Sequence, residues 1–257
     1  MDYQNFCHKI ARKAGNIIRK NFSREMKREL KVDGTLLTAT DQEVSKLVLQ
    51  EVMSHFPRHG VLSEEGDTTQ LNSEYLWLCD PVDGTLPFAH GVPTCAFSLG
   101  LVRDGVPVAG VIYDPFIDRL YYAEKGTGAT LNGVRIHVSE DADVLYRPIG
   151  CVYWRTARFN LGTLDQKFTQ QGGKILAVGS TAYMGMLVAS GEFIANVWPG
   201  ETPWDAAAMK IIVEEAGGKV TDLFGKDQRY DGKIRGILVT NGVTHAYMTE
   251  LIRESIS

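Results

Sequence analysis

Residues 75–93 read YLWLCDPVDGTLPFAHGVP. The run 75–79 is apolar, short and aromatic, which marks a buried β-strand rather than a surface helix. It delivers Asp80 and Asp83, separated by Pro81 and Val82 and followed at once by Gly84-Thr85. Two like charges at the end of a buried strand repel each other and resist desolvation, so the pair asks for a cation. Magnesium suits such a place, because it takes carboxylate, carbonyl and water oxygens in octahedral geometry. Asp80 and Asp83 can supply side chains, and the Val82 carbonyl a third oxygen from the same turn. Pro81 fixes φ and removes a donor there. Gly84 lets the backbone approach an anion, and Thr85 opens a short helix whose first N–H groups can hold phosphate. The competing explanation is an ordinary surface turn with two solvated aspartates.

Outward from this stretch, the chain reads as alternating helix and strand. Phe6, Ile10, Ala14, Ile17 and Ile18 keep a helical period over residues 2–22. Val44, Leu47, Val48 and Val52 mark a second helix, opened by the capping-box pattern Thr40-Asp41-Gln42-Glu43. Residues 31–38, polar and containing Gly34, predict a loop or hairpin. Strands follow at 60–63, 75–79, 96–103, 106–113 and 119–124, the last three joined by Arg103-Asp104-Gly105 and Asp114-Pro115 as an antiparallel meander. Gly126-Thr127-Gly128 and Asn132-Gly133 are tight turns before a strand at 134–138. The second half predicts strands at 175–178, 193–197 and 237–240, and helices at 182–190 and 245–254. Another helix runs from Thr202-Pro203-Trp204-Asp205 to Ala216, with threonine at the N-cap, proline at its first position and Gly217-Gly218 at its end. No internal repeat or linker interrupts this order. Layered α and β elements follow, mainly antiparallel at first and more alternating later.

Bulk properties bound the function. A chain of 257 residues suits a single domain, 1–257, with halves of about 1–145 and 146–257. At 44% hydrophobic and 23% charged residues it has ample core and no signature of disorder. A formal charge of −4 argues against nucleic acid held by bulk electrostatics. It leaves an anionic substrate open, because a bound divalent ion reverses the local field. The opening MDYQNFCHKIARKAG has no apolar signal-peptide core, and no run approaches the roughly 18 apolar residues of a membrane span. Four scattered cysteines, Cys7, Cys79, Cys95 and Cys151, form no metal spacing and predict free thiols in a reducing cytoplasm.

Three further acidic positions stand at element boundaries. Glu64-Glu65 follow the strand at 60–63, Asp205 lies early in its helix, and Asp41 early in the second helix. Solvation or a helix macrodipole explains each singly. Together with Asp80 and Asp83 they repeat one arrangement too often for unrelated causes.

Leu62-Ser63-Glu64-Glu65, Asp80-Pro81-Val82-Asp83-Gly84-Thr85 and Trp204-Asp205-Ala206-Ala207-Ala208, in this order, resemble the motifs of the inositol monophosphatase family. Leu37-Thr38-Ala39-Thr40-Asp41, with Lys31 ahead of it, and Gly179-Ser180-Thr181-Ala182 extend the resemblance over nearly the whole chain. The resemblance implies a layered αβαβα sandwich, with an antiparallel first sheet and a mixed second sheet. It also implies a homodimeric, Li⁺-sensitive phosphomonoesterase that uses two or three Mg²⁺ per subunit on a small phosphorylated substrate. Glu64, Asp80 and the Val82 carbonyl would hold one metal, and Asp80, Asp83 and Asp205 a second. Glu65 would share a weaker third site with Glu64. A metal-bound water, positioned by Glu64 and by Thr85 in contact with Asp41, would attack phosphorus in line. Gly84, Thr85 and Lys31 would receive the phosphate. Gly179, Ser180, Thr181, Trp198 and Glu201 are the candidate substrate contacts. No covalent intermediate is implied.

Two departures concern the leaving group. Pro87 stands where the family usually has asparagine. Inositol-selective members resemble one another in a glutamate seven residues before the metal-binding aspartate, and that position here is Trp198. Glu201 is the nearest substitute. An indole there either packs or stacks on a sugar face. Histidinol phosphate, a sugar bisphosphate or a nucleotide 3′-phosphate therefore remain alternative substrates, and a non-catalytic regulatory homologue the rival class. Gly126-Thr127-Gly128 lacks the third glycine of a dinucleotide fingerprint. His90 reads as a brace for its loop, and Tyr153, Trp154, Arg155 and Arg158 as a surface or subunit contact.

Overall fold

The computed structural model describes residues 2–23, 28–30, 36–151 and 159–256. Helix α1 (Tyr3–Asn21) is capped by Asp2, whose carboxylate accepts the Asn5 N–H at 2.9 Å, and it buries the predicted stripe of Phe6, Ile10, Ala14 and Ile18. Strands β1 (Arg28–Leu30) and β2 (Leu36–Thr38) pair antiparallel. Helix α2 (Ala39–His55) starts earlier than the Thr40-based box predicts. Asp41 reaches back to Thr38, accepting its N–H at 2.9 Å and its hydroxyl, so the box opens at Thr38 and Thr40 is already helical.

The first large sheet comprises β3 (Gly60–Ser63), β4 (Thr68–Thr69), β5 (Tyr75–Asp83), β6 (Ala96–Arg103), β7 (Val106–Asp114), β8 (Arg119–Glu124), β9 (Gly128–Leu131) and β10 (Val134–Arg135), in the order β10-β9-β8-β7-β6-β5-β3-β4. A short helix α3 (Thr85–Ala89) follows β5. The meander is antiparallel as predicted, and β3 alone runs parallel to its neighbour β5. The second sheet holds β11 (Ile149–Cys151), β12 (Ile175–Leu176), β13 (Ala195–Trp198), β14 (Lys219–Thr221) and β15 (Ile237–Thr240), in the order β12-β11-β13-β15-β14. It is mixed: β11 is parallel to β12 and β13, while β15 is antiparallel to β13 and β14. Helices α4 (Leu164–Gln170), α5 (Thr181–Ala189), α6 (Ala207–Glu215) and α7 (His245–Ser255) complete the described chain.

Three apolar clusters define the layers. One packs α1 and α2 on the first sheet through Ile10, Val48, Trp77 and Phe97. A second packs α5 and α6 between the two sheets, drawing Leu78 and Ile112 from one and Val239 from the other. A third packs α4 and α7 on the outer face of the second sheet, through Phe168, Leu238 and Ile252. The order is therefore helix, sheet, helix, sheet, helix, as the resemblance implies. Burial of these aliphatic and aromatic groups is the main favourable term.

The alanines after Asp205 have a packing reason. Gly100 and Gly110 face each other across β6 and β7. A Cβ on either would come within 2.8 Å of Ala208 backbone atoms in α6. Bare glycines on the sheet and small side chains on the helix let the two backbones approach closely. That approach brings the start of α6, and Asp205 with it, against the carboxyl end of β5.

Candidate metal and phosphate site

Strand β5 continues past Cys79 to Asp83, four residues beyond the predicted end, through an irregularity. Asp80 pairs with Ser98 and Asp83 with Ala96, so three steps on β5 match two on β6. That is a β-bulge. Side chains three apart on a regular strand point to opposite faces, and the extra residue returns Asp80 and Asp83 to one face. Pro81 sits in the bulge, where a missing N–H costs least. The aspartate spacing is thus explained by backbone geometry.

The parallel pairing of β3 with β5 supplies the next acid. Ser63 lies opposite Cys79, and the Glu64 N–H donates to the Cys79 carbonyl at 3.0 Å, so Glu64 emerges beside Asp80. Glu65 is half-buried at the corner of the turn closed by Gly66 N–H to the Ser63 carbonyl at 3.1 Å. Asp205 comes from the 3-10 turn Pro203–Asp205, which precedes α6. The Ser98 hydroxyl donates to the Trp204 carbonyl at 3.4 Å and ties this turn to β6. Thr202 caps the turn and donates its hydroxyl to Asp205 Oδ2.

Oxygens of Asp80, Asp83 and Asp205 lie within 4.8 Å of one another. Asp80 Oδ1 accepts the Val82 N–H at 3.0 Å, and Asp83 Oδ2 accepts the Ala182 N–H at 2.8 Å. Burial pushes Asp80 well above the usual carboxylate range, reinforced by Glu64, Asp83 and Asp205. Asp205 is raised likewise, by burial and then by Asp83 and Glu64. Burial lifts Asp83 to about 6, against the lowering effect of hydrogen bonds from Ser180 and the Ala182 amide. Asp41, buried beneath the cluster, also rises to about 6, first from burial. Among the described residues no lysine or arginine forms an ion pair with Asp80, Asp83 or Asp205. Carboxylates crowded together until their ionisation is disfavoured are what a divalent cation relieves, so the residues fit Mg²⁺.

Thr85 joins the outlying Asp41 to this group. Its hydroxyl lies 3.0 Å from the Val82 carbonyl and 3.4 Å from Asp41 Oδ1. Gly84 adopts φ +96°, and a Cβ there would meet the Thr94 carbonyl at 2.8 Å, so this position admits only glycine without displacement.

The predicted substrate contacts fall out differently. Ser180 and Thr181 are buried at the start of α5, where both bond Asp83. Ser180 accepts the Tyr183 N–H at 3.1 Å while bonding Asp83. Gly179 lies against Pro87, with only 3.0 Å between a Cβ built there and the ring. Trp198 is 5% exposed and packs over Gly200 in the core between the sheets, which matches the packing alternative and leaves no open indole face. Glu201 is half-buried, 3.8 Å from Lys233. His90 bonds the Leu86 carbonyl at 2.8 Å, bracing α3. Lys31, Tyr153, Trp154, Arg155 and Arg158 lie outside the described residues.

Sequence reasoning passed over Thr38, Ser180 and Thr202 as partners of the acids. The Thr-x-x-Asp spacing of Thr38 with Asp41, and of Thr202 with Asp205, was the available signal. Gly126-Thr127-Gly128 finds its anion inside the protein: the Gly126 and Gly128 amides donate to the two Glu215 carboxylate oxygens at 2.8 and 2.7 Å.

Comparison with known proteins agrees with this geometry. The profile of the inositol monophosphatase family matches residues 2–257. The fructose-1,6-bisphosphatase/inositol-1-monophosphatase of Thermotoga maritima is 32% identical, covering 100% of this chain and 98% of its own. Inositol monophosphatase 1 of Homo sapiens is 34% identical over 84% of this chain and 82% of its own. The crystal structure of extragenic suppressor protein suhB from Bartonella henselae superposes with a TM-score of 0.91, at 27% identity and with 100% of both chains covered. With fold, motif order and whole-length similarity in agreement, this chain belongs to the inositol monophosphatase family.

Proposed function

We propose that the protein hydrolyses the phosphate monoester of a small polyol or sugar in a Mg²⁺-dependent reaction that releases inorganic phosphate. The observation that carries this reading is the convergence of Asp80 and Asp83, at the end of β5, with Asp205, from the turn before α6, with ligand atoms within 4.8 Å. Glu64, Asp80 and the Val82 carbonyl would hold one ion, Asp80, Asp83 and Asp205 another, and Glu65 would contribute to a third with Glu64. An ion held there would supply Lewis-acid chemistry, neutralising the acids, polarising the phosphate and making water a better nucleophile near neutral pH.

The chain's own residues then do the rest. Thr85 donates its hydroxyl hydrogen toward Asp41 Oδ1, 3.4 Å away, which turns an oxygen lone pair toward the incoming water. Glu64 offers a second acceptor at the end of β3. The water's proton passes to Glu64, or to Asp41 through Thr85, and Asp41, lifted to about 6, is matched to that task; the departing alkoxide takes up a proton from solvent and leaves as the alcohol. The Gly84 and Thr85 amides at the start of α3 orient the phosphate, with Lys31 as an added cation. Asp83 is held in place by the Ala182 amide and the Ser180 hydroxyl.

The leaving group is the open part. Human inositol monophosphatase 1 carries inositol in its name, and the Thermotoga maritima relative carries both that and fructose 1,6-bisphosphate. Burial of Trp198, where an inositol-binding glutamate was expected, favours a broader preference that includes sugar bisphosphates. A phosphate-release screen over inositol, sugar, histidinol and nucleotide phosphates, with Mg²⁺, EDTA or added Li⁺, tests the reading. We expect release from polyol or sugar esters, lost in EDTA and reduced by Li⁺. No release from any ester would reject it.

A further inference from the structure

We propose that Thr202 is a positioning residue that sets which divalent cation the acid cluster accepts, favouring Mg²⁺ over Ca²⁺. The inference rests on the metal reading given above. Each aspartate of the cluster has at least one oxygen engaged by a protein donor. Asp80 Oδ1 takes the Val82 N–H at 3.0 Å, Asp83 Oδ2 takes the Ala182 N–H at 2.8 Å, and Asp205 Oδ2 takes the Thr202 hydroxyl. A carboxylate tied through one oxygen presents the other singly. Binding through both oxygens means breaking the tie, and a buried donor left without an acceptor is costly.

The two candidate ions differ in just this demand. Mg²⁺ takes six oxygens at about 2.0–2.1 Å, whereas Ca²⁺ takes six to eight and often engages a carboxylate through both oxygens. Three carboxylates that each withhold an oxygen therefore supply an octahedral ion and starve a larger one. Two of the ties are backbone amides, set by the β5 bulge and the first turn of α5, and at Asp83 the Ser180 hydroxyl adds to the amide. At Asp205 the tie comes from the Thr202 side chain, so substitution can remove it. It stands half-buried at the cap of the turn that carries Asp205. Without its hydroxyl, Asp205 can rotate and offer both oxygens.

Calorimetric titration of metal-free protein with MgCl₂ and with CaCl₂ tests this, using wild type, Thr202→Val, Thr202→Ala and Thr202→Ser. Valine keeps the shape and removes the hydroxyl, alanine removes both, and serine keeps the hydroxyl. We expect the Ca²⁺-to-Mg²⁺ affinity ratio to rise about tenfold in the valine and alanine variants and to stay at the wild-type value in serine, a size typical of groups that orient a metal ligand. Thermal unfolding without metal identifies which variants are folded. An unchanged ratio in either folded hydroxyl-free variant, or an equal shift in serine, would overturn the proposal. Wild type that binds no Mg²⁺ would instead reject the metal reading and this inference with it. Mg²⁺ binding whose ion preference ignores position 202 would reject the inference alone.

Discussion

Asp83 Oδ2 accepts the Ala182 backbone N–H at 2.8 Å, although the two residues are 99 apart in sequence. The bond joins the end of β5 in the first sheet to the start of α5 between the sheets. A ligand of the proposed site is therefore also a helix-capping acceptor, and the two roles can be separated. At pH 5 in EDTA, below the folded value of about 6, Asp83 is largely neutral. Asp83→Asn keeps an acceptor for Ala182 and should leave the unfolding temperature close to wild type. Asp83→Ala orphans the Ala182 amide and the Ser180 hydroxyl, and should cost about 1–3 kcal/mol. Equal stability of the two variants in chemical denaturation would contradict this reading of the bond.

The acid cluster makes stability depend on pH in a metal-sensitive way. Asp41 and Asp83 stand near 6 when folded, and burial raises Asp80 and Asp205 well above the usual carboxylate range too. A carboxylate raised above its unfolded value of about 3.9 binds more protons folded than unfolded, so its contribution is present below about pH 4 and lost as pH rises through the folded value. Metal-free protein should therefore lose stability between about pH 4 and pH 7 relative to Mg²⁺-saturated protein. The gap between the two melting curves should widen with pH. A gap that narrows would count against the cluster.

His245 acts with the opposite sign. Burial and Lys219 lower it to about 4, and its ring bonds Thr240 at 2.9 Å and Thr221 at 3.2 Å. Its contribution is full above about pH 6.5 and is lost as pH falls toward 4. His245→Gln should flatten the acid limb of the Mg²⁺-saturated melting profile. An unchanged limb would show that another group sets it.

Packing alone should reach the site. A methyl on Gly110 would stand 2.8 Å from the Ala208 Cα, a backbone atom that cannot swing aside. Gly110→Ala should push α6 off the sheet, cost about 1–3 kcal/mol, and weaken Mg²⁺ binding through Asp205. Wild-type Mg²⁺ affinity in this variant would mean that α6 placement does not govern the site.

Much of this was legible in the residues. The long helix α1 is legible because it buries one stripe, and the meander β6–β8 because its strands, buried on both faces, are short apolar runs set off by turn signals. The strands β11 and β14 and the short helix α4 were missed, since three to seven residues carry too little period to read. The identities of the acids were readable, while their convergence depends on a bulge, a parallel strand pair and two glycines facing α6. None of these is visible in local pattern. The positions 179–181 were read as substrate contacts because they stand in a family motif, while the bond from Ser180 to Asp83 could not be read from the sequence. Trp198 was ambiguous in sequence, and burial over Gly200 resolves how the ring packs.

Steady-state phosphate release by Asp83→Asn at saturating Mg²⁺, on whichever ester wild type hydrolyses fastest, bears most directly on the proposed chemistry. The substitution keeps shape and the Ala182 acceptor while removing the charge. The account predicts a loss of about 10³-fold or more in kcat, roughly 4 kcal/mol of barrier, in a variant that melts as wild type does in EDTA at pH 5. Full turnover by the folded variant would contradict the assignment of Asp83 to the metal site.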